Sequence, residues 1–475
     1  MNTIFSRTKI IATIGPASSP KEVLRDMFIA GVDVCRLNFS HGSYDDHKKV
    51  IDTIRALNLE LGLDVAIIAD LQGPKLRVGD IENGEIELKQ GSEIEFTSQK
   101  CVGTTSRVYL SYKQFPQDVK QGDMILIDDG KLKLEVVETN EIDTVRAKVI
   151  FGGLLRPKKG VNLPHTKVSL PSLTDKDISD ANFALDHDVD WIALSFVRTA
   201  TDILELKDLI KQRKKHTPVI AKIEKPEALS EIENIIDVAD AVMVARGDMG
   251  VEIDFEKVPL IQKHIVNSCI TASKPVIIAT QMLESMITNF RPTRAEASDV
   301  ANAVLDGADT LMLSGETSVG SFPVTTIQSM HKIIQWTEDH AYNYHRGEPP
   351  MEFSPTFLSN SICFNAVKMA SQTKATAIIT FTHSGFTALH ISGFRPQANI
   401  YAFTDNKDLI PRLSLLWGVR AFYFAKYTNI DDAIAYTISE LKNQELIHSN
   451  DIVIHVASTP LHLKDKTNML KLSYI

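Results

Sequence analysis

Eight short, β-branched apolar runs punctuate the first two thirds of the chain, and their spacing constrains the fold more than any other feature. They are Thr8–Gly15, Asp33–Ser40, Asp64–Leu71, Asp190–Val197, Pro218–Glu224, Ala241–Asp248, Pro275–Gln281 and Thr310–Glu316. Each is too short for a helix, and amphipathic segments such as Ser19–Ala30 and Asp202–Lys214 lie between them. With one exception, successive runs start 23 to 35 residues apart, which is the βα repeat of a parallel sheet. Eight such units predict an α/β fold closed into a (β/α)₈ barrel, the TIM-barrel architecture.

The exception is the step from Asp64 to Asp190, about a hundred residues longer than a loop requires. There the texture changes: Lys131–Val136 alternates polar and apolar, and turn signals stand at Glu82–Glu85 and Asp128–Gly130. This predicts a small antiparallel β-barrel inserted as a lid, bracketed by Gly73-Pro74 and Pro171. After the eighth run, a linker over Arg346–Pro355 leads into a third unit with apolar strands at Thr376–Phe381, Asn399–Thr404, Val419–Phe424 and Asp451–Ser458. Its alternation with helices predicts an open α/β domain. The expected boundaries are 1–71 with 169–345 for the barrel, 72–168 for the lid and 353–475 for the C-terminal domain.

Composition narrows the function classes. The 475 residues are 44% hydrophobic and 23% charged, with a net charge of −9, and no basic block invites nucleic acid or an anionic membrane. The cysteines (Cys35, Cys101, Cys269, Cys363) are scattered without metal spacing, as in a reducing cytosol. Arg7 and Lys9 interrupt the apolar start, and no run approaches the roughly 20 residues of a membrane span. A soluble, cytoplasmic protein is expected.

In a barrel enzyme the chemistry sits at the C-terminal ends of the strands, and the unusual polar residues gather there. Arg36, Asn38 and Ser40 recur at the strand period of two, and Asp70 closes the third run. Lys222 and Glu224 share a face at the end of the fifth. The sixth ends Arg246-Gly247-Asp248, the seventh Thr280-Gln281 and the eighth Ser314-Gly315-Glu316. Any one of these reads first as a satisfied ion pair or a cap. Six strand ends bearing convergent polar groups do not, because scattered ion pairs would not choose the same end of every strand.

The set also suits one chemistry. Glu224 and Asp248, on adjacent strands, can share a hard cation, and Mg²⁺ takes only one or two protein carboxylates. Arg36 and Lys222 supply the positive charge that a transferring phosphoryl group needs. Gly247 allows backbone amides to approach a ligand carboxylate, and the Thr280 hydroxyl can position a proton or a water. Mg²⁺-assisted phosphoryl transfer involving a small carboxylate follows.

At this point the motifs resemble the pyruvate kinase family. Ile220–Glu227 (IAKIEKPE) matches its signature, as do Arg36–Gly42, Met243–Gly250, Ala279–Met286, Pro292–Gly307 and Leu313–Thr317, and the likeness spans the whole chain. The resemblance implies that Arg36 and Lys222 bind the phosphate of phosphoenolpyruvate, with Lys222 also stabilising the phosphoryl group in transfer. It implies that Glu224 and Asp248 hold Mg²⁺ (or Mn²⁺). Gly247, Asp248, Thr280 and Ser195 would bind the substrate, and Thr280 with Ser314 would relay the proton to enolpyruvate. Asn38, His41, Arg77 and the lid's Lys159 would meet ADP. The familial expectation is a homotetramer.

One departure stands out. Many members need K⁺ and carry Thr after the aspartate and Glu after the Gly-Pro, whereas this chain reads Asp70-Leu71-Gln72-Gly73-Pro74-Lys75. Lys75 places a covalent cation near the K⁺ site of Asn38, Ser40 and Asp70, so activity without K⁺ is expected. In the C-terminal domain, Thr382, Ser384, Gly385 and Thr387 stand where a strand turns into a helix, and with the resemblance they predict a site for a phosphorylated effector. Two rivals are a Schiff-base aldolase using Lys222 and an inactive metabolite sensor. Glu224 beside Lys222 disfavours the first by keeping the amine charged. The intact carboxylates disfavour the second.

Overall fold

The structure is a computed structural model and describes residues 5–164, 166–341, 344–347, 349–351, 354–424, 429–460 and 466–475. Eight parallel strands close into a barrel: Lys9–Thr13, Val34–Asn38, Ala66–Asp70, Trp191–Leu194, Val219–Ile223, Ala241–Ala245, Val276–Ala279 and Thr310–Leu313. Each pairs in register with its neighbour, and the eighth returns to the first through Lys9↔Thr310. Seven of the eight are buried at every position, as expected of strands covered on both faces. Only Val34–Asn38 breaks the rule, at Arg36 and Asn38, the two residues of its polar stripe. Ser40 lies past this strand's end, in a turn where its amide donates to Asn38 Oδ1 at 3.1 Å.

The surrounding helices start where the sequence supplies caps. Tyr44–Leu61, Asp175–Asp186 and Arg294–Asp306 each open on a reciprocal capping box, from Ser43/Asp46, Thr174/Asp177 and Thr293/Glu296.

Between the third and fourth barrel strands, a seven-stranded sheet runs Leu76–Arg77, Gly160–Asn162, Met124–Ile127, Leu132–Thr139, Thr144–Phe151, Glu93–Thr97, Arg107–Tyr109. It curls until its edges meet: Val78 bridges Leu110, and the Gly79 amide donates to the Tyr109 carbonyl at 2.8 Å. The expected antiparallel pattern holds except for the pair Glu93–Thr97 and Arg107–Tyr109, which is parallel. The lid has an apolar core of its own, including Phe96, Phe115, Leu134 and Val145.

The C-terminal sheet has the order Val419–Tyr423, Asn399–Thr404, Ala377–Phe381, Ile452–Ala457, Met469–Tyr474. The last strand is antiparallel and was not foreseen from its half-polar sequence. The expected start of this domain at 353 lies outside the described residues. A loop of the domain seals the barrel floor. Leu415, fully buried, joins Trp191, Ile220 and Met312 in the barrel interior, and Thr310 Oγ1 donates to its carbonyl at 3.0 Å. Beside it the buried Arg395–Asp309 ion pair (2.9 Å) joins the two domains.

Candidate active site

At the C-terminal mouth of the barrel, four strand ends bring one buried charge row together. Lys222 Nζ lies 3.2 Å from Asp70 Oδ1 and 3.0 Å from Glu224 Oε1, and donates to Ser195 Oγ at 2.5 Å. Ser195 Oγ donates in turn to the Leu71 carbonyl at 2.8 Å. Arg36 grips the other oxygen of Asp70, with Nε at 2.6 Å and Nη2 at 2.5 Å, and its Nη1 donates to Thr13 Oγ1 at 2.9 Å. Asp70, Lys222, Glu224 and Ser195 are all 8% exposed or less.

Charges so enclosed must neutralise one another. Burial alone would push the Lys222 ammonium toward neutrality, but the Asp70 and Glu224 carboxylates outweigh it and hold its pKa above the usual lysine range. Asp70, despite its burial, is held below the usual carboxylate range by Lys222 and Arg36. Glu224 goes the other way: burial raises it, with Asp248 adding repulsion against the pull of Lys222. A lysine held protonated is unsuited to attack a carbonyl, which runs against the aldolase reading.

Glu224 keeps lone pairs to spare. Its Oε2 accepts the Phe196 amide at 2.9 Å, and its buried Oε1 faces the Lys222 ammonium at 3.0 Å without an aligned hydrogen bond. An anionic oxygen in that state, with a second carboxylate at Asp248 close enough to raise its pKa, fits one divalent cation. No group of three or more His, Cys, Asp or Glu side chains that could hold a metal gathers among the described residues.

Gly247 and Asp248 sit in the first turn of the short helix Arg246–Glu252, not on the strand, which stops at Ala245. The Gly247 amide donates to Thr280 Oγ1 at 2.7 Å, and a side-chain carbon at Gly247 would stand 3.2 Å from that oxygen. Thr280 and Gln281 both hold left-handed backbone, at φ +70° and +56°. For a β-branched threonine this is a strained conformation of the kind that collects at functional sites. Ser314 Oγ, at the next strand end, is buried and makes no hydrogen bond among the described residues.

Asn38 and His41 line a cleft of about 710 Å³ beside the charge row, together with Pro16, Gly42 and Val319. Burial, then the charges of Arg77, Lys75 and Arg36, lower the His41 pKa. Lys75 reaches along the lid: its Cε would be 3.4 Å from a side-chain carbon at Gly160, and its ammonium makes no hydrogen bond or ion pair among the described residues. Arg77 is on the lid's first strand and donates to the Lys158 carbonyl at 3.0 Å. Lys159 is paired with the lid's own Asp128 at 2.8 Å. At the chain's passage into the lid, Gly73 has φ +70°, and a side-chain carbon there would meet Phe196 at 2.7 Å, so only glycine fits.

The C-terminal cluster is less open than its sequence implied. Thr382 Oγ1 accepts the Gly385 amide at 2.9 Å, and Ser384 and Gly385 precede the helix Phe386–Gly393. Thr387 is buried, its hydroxyl paired with Thr467 at 2.8 Å.

Thr13 and Glu252 were missed in the sequence. Thr13 obeys the same rule as the others, a polar residue closing an apolar run, and that signal would have found it. Glu252 had none, being one acid in an acid-rich helix and loop.

Known proteins resemble this chain along nearly its whole length. The family model described as pyruvate kinase, barrel domain, matches residues 5–327, and that for the pyruvate kinase alpha/beta domain matches 360–473. A pyruvate kinase of Mycobacterium tuberculosis is 41% identical over 98% of this chain and 97% of its own. One from Geobacillus stearothermophilus is 40% identical, covering 99% of this chain and 80% of its own. The crystal structure of a pyruvate kinase from Cryptosporidium parvum superimposes with a TM-score of 0.92 at 36% identity, over 98% of this chain and 96% of that one.

Proposed function

Because the chain belongs to the pyruvate kinase family, and so to the phosphotransferases, we propose that it moves the phosphoryl group of phosphoenolpyruvate onto ADP, yielding pyruvate and ATP. The observation that carries this reading is the buried row Arg36–Asp70–Lys222–Glu224, which joins two cationic side chains to a carboxylate at its end with Asp248 nearby. Arg36 and Lys222 bind the phosphate, and Lys222 follows its charge as it transfers, when electrostatic stabilisation matters most. Glu224 and Asp248 hold Mg²⁺ or Mn²⁺, which when bound would neutralise charge on the transferring phosphoryl oxygens. The helix start at Gly247 and Asp248, with Thr280 and Ser195, orients the substrate carboxylate and phosphate.

Transfer leaves enolpyruvate, whose methylene carbon must take a proton. Thr280 with a water delivers it, and Ser314, whose hydroxyl is uncommitted, completes the relay. The nucleotide occupies the cleft beside Asn38 and His41, met by Arg77, and by Lys159 once that lysine leaves Asp128.

K⁺ is not required in this reading. Lys75 is uncommitted, its charge is felt at His41, and Asp70 is already engaged by Arg36 and Lys222. The wider reading includes a phosphorylated effector at Thr382, Ser384, Gly385 and Thr387, and a homotetramer. Exposed Phe255, Leu260 and Phe290 on the barrel flank favour subunit contacts. Among the described residues, no helix is long and apolar enough to cross a membrane.

A coupled assay for pyruvate from phosphoenolpyruvate and ADP tests the reading. Turnover should require Mg²⁺ or Mn²⁺ and should persist when K⁺ is replaced by a bulky organic cation. No pyruvate at saturating substrates and metal would overturn the kinase reading. A rate that collapses by orders of magnitude without K⁺ would overturn the role of Lys75.

A further inference from the structure

Among the described residues, hydrogen bonds hold the lid to the barrel at three places, and they are not equivalent. Two secure the chain where it enters and leaves: the Gly73 amide donates to Asp177 Oδ1 at 2.9 Å, and Arg198 donates to the carbonyls of Val168 and Leu170 at 2.7 and 2.8 Å. These lie at the hinges, where a rotation moves atoms least. The third holds the body of the lid. Asn162 Nδ2, on the strand Gly160–Asn162, donates to Glu252 Oε1 at 2.8 Å.

Glu252 is an unusual anchor. The same Oε1 is ion-paired with Lys225 at 2.8 Å, and the two side chains are 1% and 11% exposed. Its other oxygen is buried with no hydrogen bond among the described residues. One carboxylate oxygen therefore joins the lid, the residue after Glu224, and the helix Arg246–Glu252 whose first turn carries Asp248. On the lid side, Asn162 ends a strand whose Gly160 is in register with Arg77, and Lys159 immediately precedes that strand.

We propose that Glu252 is a positioning residue for the nucleotide: through Asn162 it sets the angle at which the lid presents Arg77 and Lys159 over the barrel mouth. The proposal rests on the reading that ADP is bound beneath the lid. Phosphoenolpyruvate is held by barrel residues alone, so its binding is insensitive to this contact. An amide donor on the lid suits the task, since an uncharged hydrogen bond can be exchanged for water without stranding a lid charge.

Asn162→Asp sets one carboxylate against another and breaks the contact while leaving the barrel unchanged. Combining it with Glu252→Gln restores one amide facing one carboxylate with the roles reversed. Spin labels on the exposed Cys101 of the lid and on Leu204→Cys of the barrel, with Cys35, Cys269 and Cys363 buried, report the lid angle directly. Asn162→Asp should broaden or shift the label distance and raise the KM for ADP about tenfold, with the KM for phosphoenolpyruvate unchanged. The double variant should recover both. A wild-type distance distribution and ADP KM in Asn162→Asp would overturn the proposal. Equal rises in both KM values with a lowered Tm would also do so, by showing a merely structural contact. If the native protein forms no pyruvate, the kinase reading fails, and the label distances still judge the Asn162–Glu252 contact.

Discussion

Replacing Lys222 with methionine removes the charge on which the proposed chemistry depends while keeping most of the side chain's volume. The ammonium stands about 3 Å from two carboxylate oxygens, and a phosphoryl oxygen drawn to it would sit at similar range. At an effective dielectric of about 20, a unit charge at 3 Å is worth about 5.5 kcal/mol. Only the share gained between ground and transition states affects kcat. A single preorganised donor typically supplies about 2.7–4 kcal/mol of that, which is a loss of roughly 10²–10³-fold in kcat. The remaining site should survive, since Arg36 still holds Asp70 and the Phe196 amide still holds Glu224. Steady-state kinetics on the Lys222→Met protein, with circular dichroism to confirm folding, makes the comparison. A folded variant with kcat within tenfold of the native value would refute the role given to Lys222.

Lys75→Glu, which removes the covalent cation and puts an acid in its place, should make turnover depend on K⁺, measured as rate against KCl at constant ionic strength; an unchanged K⁺ response refutes the substitution of one cation for the other. Leu415→Ala opens a cavity in the barrel floor and should cost about 2–5 kcal/mol, seen as a lower urea midpoint; an unmoved midpoint would mean that the loop does not plug the barrel. His455 is fully buried with neither ring nitrogen hydrogen-bonded among the described residues, and burial, with Lys471 nearby, pushes its pKa down to about 4. The folded value lies below the unfolded one of about 6.5, so the neutral ring favours the fold above that pH. Stability should fall by up to about 3 kcal/mol between pH 6.5 and 4. His455→Leu should flatten that limb in pH-dependent denaturation, and an identical slope in both proteins would refute it.

The barrel was legible because its signal is local. Runs such as Ala66–Asp70 and Val219–Ile223 are apolar apart from Asp70 and Lys222 near their C-terminal ends because both faces are covered, and their spacing is set by the helix each must accommodate. The polar residues at the mouth were legible for a related reason: a charge ending an apolar strand needs a partner, and parallel strands put all such ends together. The parallel pair in the lid, Glu93–Thr97 with Arg107–Tyr109, was not, because the two orientations share the same alternation. Nor was Met469–Tyr474, whose edge position leaves it only half buried.

Sequence by itself determined the strand count of the barrel, the place of the inserted lid and the chemical types gathered at the barrel mouth, since periodicity and residue type are properties of short segments. Tertiary structure decided the pairings. Which oxygen of Asp70 Arg36 takes, that Lys159 is bound to Asp128, that Thr387 is spent on Thr467, and that Asn162 finds Glu252 all depend on where distant segments lie once the domains fold and meet. A buried charge specifies that it must have a partner but carries no local mark of which one. Tertiary packing, which at the barrel mouth means closure of the barrel, makes that choice.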